Sequence, residues 1–343
     1  MPESPILEVR DLRTYFNTEH GTARAVDGIS FSLSAGRTLA LVGESGCGKT
    51  VTSLSILKLI AMPPGEIVSG QILLAGRDLV SLSEPEMRSV RGGQAAMIFQ
   101  EPGTSLNPVF TIGDQIGEAI RLHRKLPKSE VRREVLRLLG EVRMSEPERR
   151  IDQYPHELSG GMKQRAMIAM ALSCNPRLII ADEPTTALDV TIQARILELL
   201  RQMRETHGTA VLLITHDLGV VAETADDVVV MYAGKVAEQG DVHSVFAKPS
   251  HPYTIGLFKS LPRVDRSDDR LQAIPGNVPS PTKFPEGCRF RTRCPLAVAK
   301  CTEEPPLIDV GGGHRSACWF AEELAAGRPV EFAPVGAAAG GAA

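Results

Sequence analysis

The chain has 343 residues, 43% of them hydrophobic and 4% aromatic, with 38 Lys and Arg against 41 Asp and Glu for a formal charge of −3. That length allows two domains and a core of ordinary size, while the charge balance gives no electrostatic case for a nucleic-acid partner. No apolar run approaches the roughly 20 residues that a membrane-spanning helix needs. The first residues, MPESPILEVRDL, lack a basic region followed by an apolar stretch, so no secretory signal is expected and the chain is read as cytoplasmic and soluble.

The period-two stretches ILEVRDL and ISFSLSA read as strands. RTLALV, residues 37–42, is a short apolar run of the kind a buried strand carries. It leads into Gly43-x-x-x-x-Gly48-Lys49-Thr50, a phosphate-binding loop of the Walker A type. Glycines lack a Cβ, so the backbone can curl and turn successive N–H groups toward an anion. Lys49 is then expected to reach the β- and γ-phosphates and Thr50 to offer its hydroxyl to Mg²⁺. The helix read over TVTSLSILKLI would point its positive end at the same charge. The candidate triphosphate site is Gly43, Glu44, Ser45, Gly46, Cys47, Gly48, Lys49, Thr50 and Val51; the competing reading is a glycine-rich turn with a chance lysine.

GQILLAGRDL adds a strand, and from about Asn107 to Ile151 the texture changes to charged helix, as in KSEVRREVLRLLGEV, a helical insert. RLIIADEP and AVLLITHD are short continuous apolar runs, expected of parallel strands covered on both faces, with TIQARILELLRQMRETHG as the helix between them. DVVVMYAGKVAEQG resembles a hairpin turning at Ala233-Gly234. Beyond His251 the composition becomes rich in proline and glycine, IPGNVPSPTKFPEG, and four cysteines follow, which suggests a separate appendage. The tail PVGAAAGGAA is low-complexity and expected to be disordered. The expected division is residues 1–250 as a nucleotide-binding domain, with a helical subdomain at about 101–165, then 251–330 as a C-terminal domain and 331–343 as the tail.

RLIIADEP ends in two acids, a Walker B arrangement: Asp182 suits a Mg²⁺ contact and Glu183 a base that polarises the attacking water. Alone the pair reads equally well as surface carboxylates; behind a phosphate loop it gains weight. LSGGMKQR places Ser159, Gly160 and Gly161 at an expected helix start, where a hydroxyl and bare amides can face a γ-phosphate.

Here the chain resembles the ATP-binding cassette family, whose signature reads Leu-Ser-Gly-Gly-Gln; Met162 departs from it at the last position. The resemblance implies further roles: Gln100 in MIFQEP as the Q-loop residue reaching Mg²⁺ and the attacking water, Asp189 in ALDV as the D-loop residue crossing to a partner, and His216 in LLITHD as the switch histidine. Phe16, with Tyr15 beside it, falls where the family stacks an aromatic ring on adenine. The fold implied is α/β, a P-loop NTPase cassette with a RecA-like core, an antiparallel β-subdomain and a helical subdomain, plus a small cysteine-containing C-terminal domain. In this family two cassettes sit head to tail and share each ATP, so a second ATPase subunit is implied, either a second copy or, as is common in the importer subfamily named below, a related but different chain.

KPSHPYTIGLFKSLPR, FQEPGTSLNPVFTIGDQI and YPHELSGGMKQRAMIAMAL look like the oligopeptide and dipeptide importer ATPases. That resemblance implies two membrane permeases, an extracytoplasmic peptide-binding protein, a peripheral position on the cytoplasmic face of the membrane, and a permease helix docking along Glu101 to Ile116. Two other readings are a soluble cassette clamp with no membrane partner and an importer of another solute such as a nickel chelate. A module that only holds ATP is disfavoured by Glu183 and His216.

Cys288, Cys294, Cys301 and Cys318 are spaced C-x5-C-x6-C-x16-C, with Cys47 and Cys174 outside the group. In a chain read as cytoplasmic, such a group favours metal over disulfides. Zinc sites prefer closely spaced pairs, which are missing, whereas wider gaps with Pro295 after one cysteine suit a [4Fe–4S] cluster better. Relatives in the importer subfamily carry such a cluster, so the resemblance implies it; zinc and free or paired thiols stay open.

Overall fold

The computed structural model describes residues 4–185, 190–260 and 274–332. The chain opens with strands β1 (Leu7–Thr18) and β2 (Gly21–Leu33), which pair antiparallel. Their alternation, shifted by an irregularity between Val9 and Leu12, puts Leu7, Val9, Leu12 and Val26 in the core. Strand β3 (Thr38–Val42) is buried along its whole length and runs into helix α1 (Lys49–Ile56). The helix stops short of the stretch the sequence suggests: Lys58 turns left-handed at φ 50° and its ammonium donates to the Val80 and Leu82 carbonyls. Strands β4 (Gly65–Leu74) and β5 (Arg77–Asp78) complete a four-stranded sheet in the order β2-β1-β4-β5.

Helix α2 (Glu84–Val90) starts at Ser83, which exchanges hydrogen bonds with Glu86 in a capping box. Strand β6 (Ala95–Ile98) follows. A helical arm comes next: α3 (Pro102–Ser105), α4 (Ile112–Arg124), α5 (Lys128–Glu141) and α6 (Pro147–Arg150). Ile112, Ile116 and Ile120 of α4 recur at helical spacing and pack with Val131, Val135 and Leu138 of α5. Helix α7 (Gly160–Leu172) returns to the core, where strand β7 (Leu178–Asp182), helix α8 (Val190–His207) and strand β8 (Ala210–Ile214) form the βαβ unit expected from the sequence.

Helix α9 (Leu218–Thr224) leads to the hairpin of β9 (Asp227–Tyr232) and β10 (Lys235–Asp241), which turns at Ala233-Gly234 as expected. Helices α10 (Val242–Ala247) and α11 (Pro252–Lys259), strands β11 (Ile308–Gly311) and β12 (His314–Ser316) and helix α12 (Ala321–Ala325) finish the described chain.

The second sheet has eight strands in the order β11-β12-β10-β9-β3-β8-β7-β6. From β9 to β6 the neighbours are parallel, and their continuous burial fits a layer covered on both faces. The C-terminal segment does not stand apart as an appendage. Strand β12 pairs antiparallel with β10, and Phe290, Leu324 and Phe332 share a core with Val228, Val230 and Tyr232 of β9. Glu238 of β10 sits fully buried and accepts hydrogen bonds from the Ser250 and His251 amides, with His314 Nε2 at 2.7 Å. Phe332 is buried, so packing continues past residue 330; the low-complexity stretch lies outside the described residues.

Candidate functional site

The phosphate loop is shaped by close approach. A Cβ on Gly43 would meet the Met231 carbonyl oxygen at 2.2 Å, and one on Gly48 would meet the Ala25 carbonyl oxygen at 2.4 Å. Gly48 also takes φ 105°, a region that L side chains resist. Lys49 is buried, and its ammonium donates to the carbonyls of Gly43 at 2.7 Å and Glu44 at 3.2 Å. Ser45, Gly46 and Thr50 are exposed, while Val51 packs on the core. Cys47 is fully buried and burial pushes its thiol up, which gives it a packing role in the loop.

Three further residues come from the C-terminal ends of adjacent parallel strands, where open α/β sheets place their ligand sites. Gln100 follows β6, Glu183 follows β7 and His216 follows β8. Gln100 Nε2 donates to Glu183 Oε2 at 2.9 Å, and His216 Nδ1 lies 3.2 Å from Glu183 Oε1. The Glu183 amide donates to the Ile214 carbonyl at 2.9 Å, which ties the acid to β8. Asp182 is buried at the end of β7 and accepts from Thr50 Oγ1 at 3.4 Å. Burial pushes its carboxyl above the usual range, against the hydroxyl of Thr50 and the charge of Lys49, and Glu183 adds to the push. An acid penalised for its charge in this way gains from a divalent cation, and Thr50 with Asp182 offers the oxygen donors that Mg²⁺ takes.

Phe16 and Tyr15 divide by strand alternation. The Tyr15 hydroxyl donates to Asp27 Oδ1 at 2.6 Å, which leaves the partly exposed Phe16 as the ring available for stacking. Ser159 caps α7 by accepting from the Met162 amide at 3.4 Å. Gly160 is exposed with nothing within 4 Å of a Cβ, whereas a Cβ on Gly161 would touch the Ile192 side chain at 3.0 Å. The Met162 side chain packs partly buried on the helical core. Asp189 lies outside the described residues.

The cysteine expectation fares differently. Cys288, Cys294, Cys301 and Cys318 are all free thiols, and Cys318 is pushed up to about 12 by burial, with the other three adding to the effect. Cys294 is pushed up to about 11, again chiefly by burial. Among the described residues no group of three or more His, Cys, Asp or Glu is arranged to hold a metal ion. The thiols as placed therefore do not fit a metal, and the segment is held by apolar packing and ion pairs instead.

Several contacts in the site have no signal in the sequence. Gln164 is buried inside α7 and donates to the Pro184 carbonyl at 2.8 Å, joining the serine-glycine helix to the acidic pair. Arg293, Arg289 and Tyr253 reach the nucleotide loop region from the C-terminal segment. A pair of cysteines flanking three arginines, Cys288 to Cys294, is the nearest thing to a hint.

Comparison with known proteins agrees with this geometry. The family described as ABC transporter matches residues 26–186, and the oligopeptide/dipeptide transporter C-terminal region matches residues 237–301. A probable peptide ABC transporter ATP-binding protein of Sinorhizobium fredii is 52% identical over 93% of this chain and 96% of its own length. The oligopeptide transport ATP-binding protein AppD of Bacillus subtilis is 52% identical over 93% of this chain and 98% of its own. A solved ATP-binding cassette, dimeric in a post-hydrolysis state with ADP and Pi, matches in fold with a TM-score of 0.63 at 24% identity, over 69% of this chain and 98% of that one. The chain belongs to the ABC transporter family, in the branch that carries the oligopeptide/dipeptide transporter C-terminal region.

Proposed function

We propose that this chain is the ATP-hydrolysing subunit of an importer that takes up di- or oligopeptides through partner permeases. Hydrolysis is carried by one observation above the rest: Glu183 is held between Gln100 and His216 beside the Lys49 loop. Peptide import rests on the kinship with peptide transport ATP-binding proteins along nearly the whole chain.

In this reading the bare loop from Gly43 to Thr50 receives the triphosphate, and Lys49 leaves the loop carbonyls for the β- and γ-phosphates. Mg²⁺, held by Thr50 and Asp182 with Gln100 nearby, supplies neutralisation of the phosphate charge. Glu183 takes the proton of the attacking water, and His216 keeps that carboxylate oriented and faces the γ-phosphate. Phe16 stacks on adenine. Ser159, Gly160 and Gly161 close over the ATP of a second, related ATPase subunit, with Asp189 crossing the same boundary. The exposure of Ser159 and Gly160 supports that outward role.

No helix among the described residues is long and apolar enough to cross a membrane. The chain docks peripherally on the cytoplasmic face, through the turn that exposes Val109 and Phe110. The Ile112 amide donates to the Gln153 carbonyl, which brings the exposed Tyr154 close to that turn. The extracytoplasmic binding protein selects the peptide. Residues 1–250 form the cassette, with 101–165 as its helical part, and 251–330 form a C-terminal unit built onto it. A [4Fe–4S] cluster on Cys288, Cys294, Cys301 and Cys318 draws no support from the thiols as placed and rests on the subfamily resemblance alone. Iron and acid-labile sulfide in an anaerobic preparation test it; their absence removes it.

The test of function is reconstitution of the chain with its co-purifying permeases in vesicles. Peptide-stimulated ATP hydrolysis and peptide uptake, both lost in Lys49→Ala, are expected. Stimulation by other solutes and not by peptides overturns the peptide assignment.

A further inference from the structure

The seven-residue segment Cys288–Cys294 sends two of its arginines, Arg289 and Arg293, into the cassette. Arg293 faces the Glu44 carboxylate with both terminal nitrogens: Nη1 donates to Oε2 at 2.7 Å and Nη2 to Oε1 at 3.1 Å. Its other hydrogen bonds go to the Pro275 carbonyl at 2.9 Å, the Ile274 carbonyl at 3.2 Å and the Tyr232 hydroxyl at 3.4 Å. The side chain is 5% exposed. A guanidinium so fully bonded and buried is fixed in place.

The same loop residue is gripped at two more points. The Glu44 amide donates to the Tyr253 hydroxyl at 2.8 Å, and Lys49 donates to the Glu44 carbonyl at 3.2 Å. Tyr253 is itself held, since its amide donates to His251 Nδ1 at 3.0 Å and its ring lies 4.7 Å from Tyr232 and 5.5 Å from Phe290. Glu44 is therefore fixed through its amide, its carbonyl and its carboxylate. Ser45 and Gly46 next to it stay exposed.

An acid inside a loop built for a triphosphate is a liability, because like charges repel. A bidentate arginine cancels that charge and sets the direction of the side chain at once. A second arm of the segment works at the other end of the site. Arg289 forms a buried ion pair with Asp27, whose Oδ1 accepts from the Tyr15 hydroxyl at 2.6 Å, one residue before Phe16.

We infer that Arg293, assisted by Tyr253, is a positioning residue for nucleotide binding: it neutralises Glu44 and holds the start of the phosphate loop in the shape that receives a triphosphate. This rests on the reading of Gly43–Thr50 as the ATP site.

The test is titration of the full chain with Mg·ATP, with thermal melting of the same samples. Arg293→Gln is expected to weaken binding about tenfold, and adding Glu44→Gln to it to restore affinity to within about twofold of the starting chain. A merely structural arginine would lower the melting temperature and gain nothing from the loss of the Glu44 charge. Unchanged affinity in Arg293→Gln, or a double variant as weak as the single, overturns the inference. Should Arg293→Gln fail to fold, Tyr253→Phe removes one hydroxyl from the same grip and is expected to weaken binding, with unchanged binding counting against the inference. If the unaltered chain binds no Mg·ATP, the nucleotide reading itself fails.

Discussion

Glu183 Oε1 lies 3.2 Å from His216 Nδ1 while Glu183 Oε2 accepts from Gln100 at 2.9 Å, so one carboxylate ties together the loops after three neighbouring strands. Glu183→Gln keeps the shape and removes the base. Phosphate release is expected to fall by at least about 100-fold, with ATP retained on gel filtration in a dimeric species. Turnover that persists in this variant would take the base role away from Glu183.

The two inner glycines of the phosphate loop should respond differently to a methyl group. Gly48→Ala drives a Cβ into the Ala25 carbonyl at 2.4 Å, whereas a Cβ on Gly46 meets nothing within 4 Å. Gly48→Ala is expected to abolish Mg·ATP binding, while Gly46→Ala pays only for its φ of 78°, about 1 kcal/mol. Equal losses in the two titrations would contradict the packing described here.

His251 offers a pH prediction. Burial lowers its pKa from 6.5 to about 4, so the folded protein holds it neutral while the unfolded chain protonates it near 6.5. Its contribution to stability is present above 6.5 and is lost as pH falls toward about 4. His251→Asn can still accept the Tyr253 amide but cannot titrate, so its melting temperature should fall less steeply across that window. A slope identical to that of the unaltered chain would exclude His251 as a cause.

Phe110 is half-exposed on the turn before α4, and Val109 beside it is more exposed still. Phe110→Glu is expected to leave ATP hydrolysis by the isolated chain within about twofold and to uncouple peptide uptake in vesicles. Loss of hydrolysis and uptake together would place this turn in the nucleotide site instead.

Much of the site was legible because its signals are local. The Gly43–Thr50 motif is contiguous, and Asp182, Glu183 and His216 each end an apolar strand, so the residues announce both element and direction. What sequence could not give was long-range placement. Arg293 and Glu44 are 249 residues apart and Arg289 and Asp27 are 262 apart, with no periodicity linking them. The C-terminal segment read as a separate appendage because Phe284, Phe290, Phe320 and Phe332 are scattered singly among prolines and glycines, yet all four converge on one core shared with β9. Cysteine spacing counts residues along the chain and says nothing about where thiols point, so it could not decide between a metal and free thiols.

The placement of β12 beside β10 has a consequence for biosynthesis. Residues 308–316 are among the last of the described chain to leave the ribosome, so the cassette emerges with the β10 edge bare and its amides and carbonyls unpaired. Until those strands arrive, a nascent chain of this protein presents a template for pairing with its neighbours, and release of a product truncated before Ile308 would leave that template permanently open.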